Sequence, residues 1–269
     1  MSKDFYQTVK EAIYQSDILK KEALVQTLLN SSLDVEASGE VERFDTPSYA
    51  KICQIVETNK LPKRKKFDTS QGLGTLLHSI AHIEYSAIDL ALDAVYRFRE
   101  TPADFRRDWL EVASDEVRHF KMIVEILEEV GYSYGDFPVH DGLFKASQNS
   151  QNSLAERMAI IPRHYEATGL DVNPKIVQKL NSLPKKEPII FKVMDALDII
   201  YKEEIDHVRK GDRWFKWECE RLGRDSQTLF FEILDKFNLL KRKLDINVDA
   251  RLKAGFVCDE LKRFGVKEC

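Results

Sequence analysis

Two short patterns in this chain set a carboxylate and an imidazole three residues apart: Glu116 and His119 in "SDEVRHF" (114–120), and Glu204 and His207 in "KEEIDHV" (202–208). On an α-helix that spacing turns both side chains to one face. Oxygen and nitrogen donors so placed suit iron, manganese or zinc. A single Glu-x-x-His is a weak signal, because charged helices supply such pairs as exposed neighbours. The stripe each pair occupies says more. Glu116 lies in line with Trp109, Ala113, Phe120, Ile123 and Leu127, and Glu204 with Leu197, Ile200, Tyr201, Val208 and Gly211. A third carboxylate, Glu84, lies in line with Leu77, Ile80, Ala81, Ala87, Ile88 and Ala91. An ionised carboxylate on a face that must be core is paired, protonated or bound to metal. Few Lys or Arg share these faces, Arg163 being the exception in the third helix.

The pairs belong to an internal echo. "HIEYSAID" (82–89) and "HYEATGLD" (164–171) share His-x-Glu, a small hydroxyl residue two places on, and an Asp five after the Glu. Each precedes one Glu-x-x-His. The offsets between the halves are 82 for Glu84 to Glu166 and 88 for Glu116 to Glu204. A six-residue insertion fits the longer, proline-bearing connection near 171–188. The chain therefore reads as two copies of one helix hairpin. In the third helix both Glu166 and Glu156 are available. Glu166 is preferred because its 38-residue spacing to Glu204 approaches the 32 between Glu84 and Glu116, whereas Glu156 needs 48. Depth agrees in the first half: Glu84 is 17 residues before the turn at 101 and Glu116 is 15 after it. At about 1.5 Å rise per residue the two come level in an antiparallel hairpin.

The elements that must position these residues are helices. Glycine (11) and proline (8) are sparse, and apolar residues recur at helical spacing. Short helices are predicted over 3–15 and 17–31, and a connector over 32–70 with one short helix near 48–58. A long helix runs from Gly72 to about Arg99, and a second from Pro102, capped by Thr101, to about Val130 before Gly131. Residues 131–150 form a long crossover in which "VHDGL", with His140, is placed to be a lid or pocket wall. The third helix starts near Ser153 and ends, or breaks and resumes, at "ATGLDVNP" (167–174). The fourth runs from about Ile189 to Leu222, with shorter helices near 226–241 and 248–263. The expected fold is an all-α four-helix bundle with one long crossover and extra N- and C-terminal helices. The expected domains are 1–70, an N-terminal helical extension; 71–223, the bundle; and 224–269, a C-terminal helical extension.

One Glu from each of two helices and one Glu-x-x-His from each of the other two is the ligand pattern of di-iron carboxylate bundles. The expected metal ligands are Glu84, Glu116, His119, Glu166, Glu204 and His207, with Glu156 as the alternate to Glu166. Around them, His82 and His164 each lie two residues from a ligand and read as packing or supporting histidines. Tyr85, Tyr165 and Tyr201 border the ligands as candidate proton or electron carriers, although core packing is the simpler role. Asp89, Asp115, Asp198 and Asp206 are candidates to orient the ligating imidazoles. Trp214, Phe215 and Trp217 continue the fourth helix as bundle-end core.

Bulk properties exclude several classes. A net charge of −4 and a pI near 5.9 give no electrostatic reason to expect nucleic acid or a membrane surface as partner. Only "KLPKRKK" (60–66) is locally basic, and it reads as a solvated connector. Cys53, Cys219, Cys258 and Cys269 form no CxxC and indicate neither a disulfide framework nor a zinc ribbon. No stretch approaches a membrane span and "MSKDFYQTVK" is no signal peptide, so the expected compartment is the cytoplasm.

The stretches "LLHSIAHIEYSAIDLALDAVYRF", "VASDEVRHF", "YGDFPVHDGL", "ERMAIIPRHYEATGLDVNP" and "EEIDHVRKGDRWF" resemble the ferritin-like superfamily over residues 72–217. More narrowly they resemble an uncharacterised bacterial family known as domain-of-unknown-function family 455. The resemblance implies a helical bundle with a dinuclear site, most simply two iron ions, with manganese or zinc as alternatives. It implies no substrate. The expected function is oxidation or hydroxylation of a small substrate dependent on O₂ or peroxide, with an electron-donor reductase as partner and a monomer or small homo-oligomer as the assembly. The alternatives are an iron-handling ferroxidase or store, which the extra terminal helices disfavour, and a binding module with a structural metal.

Overall fold

The computed structural model describes residues 4–37, 39–62, 66–240 and 245–269. The centre of the basic run (63–65) and the end of the helix expected over 226–241 lie outside the described residues. Among the described residues the chain is all-α, with one isolated parallel bridge, Ile55 to Val139, and no strand. It divides into two compact units: Met1–Phe144 with Leu183–Ala196, and Lys145–Ser182 with Leu197–Cys269.

The first unit begins with α1 (Phe5–Tyr14) and α2 (Ile18–Leu29), the latter opened by Asp17, whose carboxylate accepts from Leu19 and Lys20 N–H. Its centre is a hairpin of α3 (Ser70–Arg97) and α4 (Ala103–Glu129), on which α1 and α2 pack. Leu77, Ile88 and Leu92 of α3 and Leu110, Ile123 and Leu127 of α4 are fully buried. Each such side chain contributes about 1.5–3 kcal/mol on burial. Thr69 caps α3 by accepting from Gly72 N–H. Thr101 does not cap α4; its hydroxyl donates back to the Phe98 carbonyl, and Pro102 occupies the cap position. Gly131, at φ +93°, reverses the chain after α4, and Tyr132 N–H closes onto the Leu127 carbonyl.

Two expectations change here. The helix predicted near 48–58 is two 3₁₀ turns, Ser48–Lys51 and Thr58–Lys60, because the chain between them is extended. Val56 N–H donates to the Val139 carbonyl and Val139 N–H to that of Gln54. The crossover holds a helix of its own, α5 (Gly142–Asn149).

The second unit contains α6 (Leu154–Ile160), starting near Ser153 as expected and capped by it, then a π-helical stretch, Ile161–Glu166, and α7 (Ala167–Asn181). The helix interruption thus falls at Pro162 rather than at "ATGLDVNP": the ring leaves no N–H to donate, and a wider turn accommodates it. Helix α7 runs on through Pro174. The Leu170 carbonyl, four residues earlier and denied its usual donor by the proline, accepts instead from Asn247 Nδ2 at 3.3 Å. Helix α8 (Pro188–Arg221) belongs to this unit from Leu197 onward, and its Gly211 lets Pro162 approach to where a Cβ would stand 2.2 Å from the ring. After α9 (Ser226–Lys236), the single helix expected over 248–263 is two: α10 (Val248–Lys253) and α11 (Cys258–Arg263), divided at Gly255, φ +102°. Cys258 and Cys269 form a disulfide, contrary to the sequence expectation; the turn at Gly265 brings the two thiols together.

Candidate metal centre

The hairpin registers Glu84 of α3 against Glu116 and His119 of α4, as the depth argument requires. His119 Nδ1 stands 3.3 Å from Glu84 Oε2 and 3.5 Å from Glu116 Oε2. The three side chains are between 0% and 6% exposed. Each offers a ligand atom, and these lie within 4.8 Å of one another. Donors about 2.0–2.2 Å from a common ion are separated by about 3–4.5 Å, so the spacing and the donor types fit a metal. Electrostatics agree. Burial, then the neighbouring Glu116 charge, pushes the Glu84 carboxyl up to about 8. Burial alone would lower the His119 imidazole, but the Glu116 and Glu84 carboxylates draw it up to about 11. A proton on Glu84 lessens the repulsion between the two carboxylates.

In the second unit α8 carries the other pair. His207 Nδ1 lies 3.6 Å from Glu204 Oε1, the imidazole being 1% and the carboxylate 14% exposed. Glu166 is the last residue of the π-helical stretch and is half-buried, with a buried carboxylate oxygen. π-bulges inside α-helices are frequent at functional sites because the extra residue re-aims a side chain. Glu156 sits at the start of α6, its N–H capped by Ser153 and its carboxylate paired with Lys236 Nζ at 2.5 Å.

The expected neighbours are partly engaged elsewhere. His82 Nε2 is 2.8 Å from the His140 carbonyl and so carries the proton; its Nδ1, 3.1 Å away, accepts from the Tyr134 hydroxyl. Burial pulls its pKa down to about 4. The Tyr85 hydroxyl bonds Ser48, and the Tyr201 hydroxyl accepts from Asn247. His164 is buried against the Tyr165 ring. Asp89 pairs with buried Lys21, while Asp115 pairs with Arg118, Asp198 with Lys202, and Asp206 with Arg209 and Lys210. Arg163 lies in its own cluster, with Asp212 at 3.0 Å and Glu260 at 2.8 Å. Trp214 and Phe215 are buried as expected.

Sequence reasoning missed Lys21, although a signal existed. Lys21 stands in line with Val25 and Leu28, the buried face of α2, so the stripe test that exposed the glutamates would have found it. It also missed Tyr134, whose ring stacks on Tyr85 at 5.6 Å and meets Phe120 edge-on at 5.0 Å. A tyrosine in a turn-rich crossover carries no periodicity to mark it as part of a ring cluster.

Comparisons with known proteins bear on the whole chain. The model of a family described as "Protein of unknown function (DUF455)" matches residues 10–262. A curated relative from Haemophilus influenzae, described as an uncharacterized protein, is 35% identical over 271 residues, covering 96% of this chain and 92% of its own. No solved structure matches the chain significantly.

Proposed function

The chain belongs to the DUF455 family, and from that premise we propose that it is a ferritin-like dinuclear metalloprotein, a di-iron carboxylate oxidoreductase acting on a small organic substrate with O₂ or peroxide. The observation that carries this reading is the buried Glu84, Glu116 and His119 group, whose donor types and spacing fit an ion. The sequence echo supports a second, equivalent half made of Glu166, Glu204 and His207, of which the Glu-x-x-His pair is again held together on one buried helix face. We propose the six residues as one ligand set, with Glu166 in preference to the ion-paired Glu156. Manganese or zinc would use the same donors.

Two bound iron ions would supply the redox equivalents for oxygen chemistry. The protein's own residues do the rest. Glu84 and Glu116 offset the metal charge, and Glu84 gives up the proton it holds in the metal-free chain. His119 and His207 supply the nitrogen donors. Near-complete burial of Glu84, Glu116 and His119 keeps bulk water from them. The proposal carries with it an electron-donor reductase, a small substrate, a monomer or small homo-oligomer and a cytoplasmic location. Among the described residues no helix is long and apolar enough to cross a membrane.

Elemental analysis of protein purified without chelator tests the first step, with about two metal ions per chain expected, and few or none in Glu116→Ala. Anaerobic ferrous loading followed by O₂ uptake tests the second. Metal retained without O₂ consumption would favour a structural ion, and absence of metal in the wild-type protein would end both readings.

A further inference from the structure

The cysteines fall into two kinds. Cys53 and Cys219 are buried free thiols, whereas Cys258 and Cys269 are joined near the surface, Cys258 half-buried and Cys269 exposed. An exposed disulfide is the kind that exchanges with thiols, because an attacking thiolate must reach one of its sulfurs. Buried thiols are inert by comparison.

The bond joins residues 11 apart and ties the chain's last residue to the first residue of α11. That helix is six residues long, too short to hold its form without outside ties. Leu261 is fully buried, and Val266 N–H closes onto the Leu261 carbonyl, which turns the tail back at the helix end. Glu260, 1% exposed, serves two partners: Oε2 accepts from Val257 N–H at 3.1 Å, and Oε1 accepts from Arg163 at 2.8 Å. Arg163 lies inside the π-helical stretch Ile161–Glu166, its guanidinium against the Phe256 ring. The covalent tie therefore stands two residues from the carboxylate that anchors this stretch, and the stretch ends in Glu166. All of these residues belong to the second unit.

We propose that the Cys258–Cys269 bond is a site of reversible thiol–disulfide exchange whose state sets how firmly Glu260 holds the π-helical stretch through Arg163. The reductant is a dithiol. One of its thiolates attacks the exposed Cys269 sulfur; the S–S bond breaks and Cys258 leaves as a thiolate. The donor's second thiolate then attacks the donor's own sulfur in the mixed disulfide, and Cys269 leaves as a thiolate. The donor departs as a disulfide, two electrons have passed to the protein, and the two protons the donor gave up end on the two cysteines. Freed of the tie, α11 opens locally more often and takes Glu260 from Arg163 as it does. The consequence for metal rests on the proposed role of Glu166 as a ligand: a looser stretch aims that carboxylate less steadily, and affinity falls.

The test follows amide exchange by mass spectrometry in the full chain: in the disulfide form, after dithiothreitol, and after re-oxidation with glutathione disulfide. Exchange in residues 258–263 and 161–166 should quicken about ten- to a hundredfold on reduction, the scale set by closing a loop of about a dozen residues. Re-oxidation should restore the slow exchange, and α3 and α4 should not respond. Cys269→Ser, altered at an exposed terminal residue, should behave as the reduced protein with or without dithiothreitol. Glu260→Gln keeps an acceptor for Val257 N–H but lacks the charge facing Arg163; it should keep the thiol response in 258–263 and lose most of it in 161–166. Unchanged exchange in 161–166 on reduction, a response there that survives Glu260→Gln in full, or a disulfide that dithiothreitol opens only on unfolding would each overturn the proposal. Ferrous affinity, measured in both thiol states, should be several-fold weaker in the reduced form. Equal affinity with a responding stretch would overturn the step from stretch to metal. A chain that binds no metal in either state would end the metal reading and leave the exchange result to decide this one.

Discussion

Each unit of this protein buries a cluster of charge, and the two are balanced differently. In the second unit Arg163, fully buried in the π-helical stretch, meets Asp212 and Glu260, and Lys216 completes the set from 2.6 Å on Asp212. Two positive and two negative groups cancel. The guanidinium is also sandwiched among Phe230, Phe256 and Phe215, at 4.1, 4.7 and 4.8 Å. Nearby, Arg251 and Asp171 cancel as a pair at 2.6 Å. In the first unit the buried Glu84 and Glu116 share the His119 imidazole, and burial and the Glu116 charge raise the Glu84 carboxyl to about 8. Where a cluster's cation is encoded as an arginine, the fold is complete without help. Where buried carboxylates share an imidazole, a proton or an ion can lessen their mutual repulsion.

The largest effect should come from unbalancing the balanced cluster. Arg163→Leu strands Asp212 and Glu260 in the core and should cost about 3–5 kcal/mol. Thermal denaturation should show it as a loss of about 10 °C. A change within a degree or two would mean that Lys216 alone can neutralise the site, and the contrast between the clusters would blur.

The unbalanced cluster makes the opposite kind of prediction, read through pH. In the metal-free chain the Glu84 carboxyl titrates near 8 rather than at its ordinary 4.5. The folded state then holds a proton that the unfolded state has released, so this contribution to stability is complete below about 4.5 and is lost as pH rises towards 8. Glu84→Gln, which stays neutral throughout, should therefore become the more stable protein over that interval, by about 2–3 kcal/mol at the upper end. Denaturant titrations of the two chains across the interval measure the difference. Stoichiometric metal should reverse the trend, because ligation needs the deprotonated carboxylate. Parallel curves for the two metal-free proteins would show that Glu84 carries no such burden.

A buried but uncharged group provides the control. Burial lowers His78 from 6.5 to about 4, and its Nε2 accepts the Gly135 N–H. Between those two values the unfolded chain binds the proton and the folded one does not, so stability should fall as pH drops from 6.5 to 4. His78→Gln should flatten that limb by about 2 kcal/mol. Its slope is opposite in sign to that of Glu84, which lets one set of curves separate the two. The smallest effect is expected at Glu156, whose pair with Lys236 lies at the surface: Glu156→Ala should change stability by about 0–1 kcal/mol and leave metal content intact. Glu166→Ala should lower metal content, and the reverse result would exchange the two residues' roles.

Much of this was legible in the sequence because helices write their faces into a period. The long stripes through Glu84, Glu116 and Glu204, the helix start near Ser153 and the glycine stop at Gly131 all correspond to observed features. The register of Glu84 with Glu116 followed from counting residues to the turn. What escaped had no local period to betray it. The extended stretch around Ile55 is held by the crossover some eighty residues on, and α5 is too short to show a stripe. That the helix continues through Pro174 goes with the Leu170 carbonyl finding another donor in Asn247, a tertiary matter. The Cys258–Cys269 bond depended on a glycine turn that divides neither cysteine from its neighbours by composition.

That freed carbonyl has a consequence for how the second unit assembles. The hydrogen bond lost at Pro174 is replaced by Asn247, which lies 77 positions after Leu170 and whose backbone N–H donates to Asp171. The same Asp171 takes the guanidinium of Arg251. The middle of α7 is therefore finished only when α10 arrives, and the two should open and close together. In hydrogen exchange their amides should be protected as one cooperative block, with α7 unable to keep its slow exchange once α10 has been cut away.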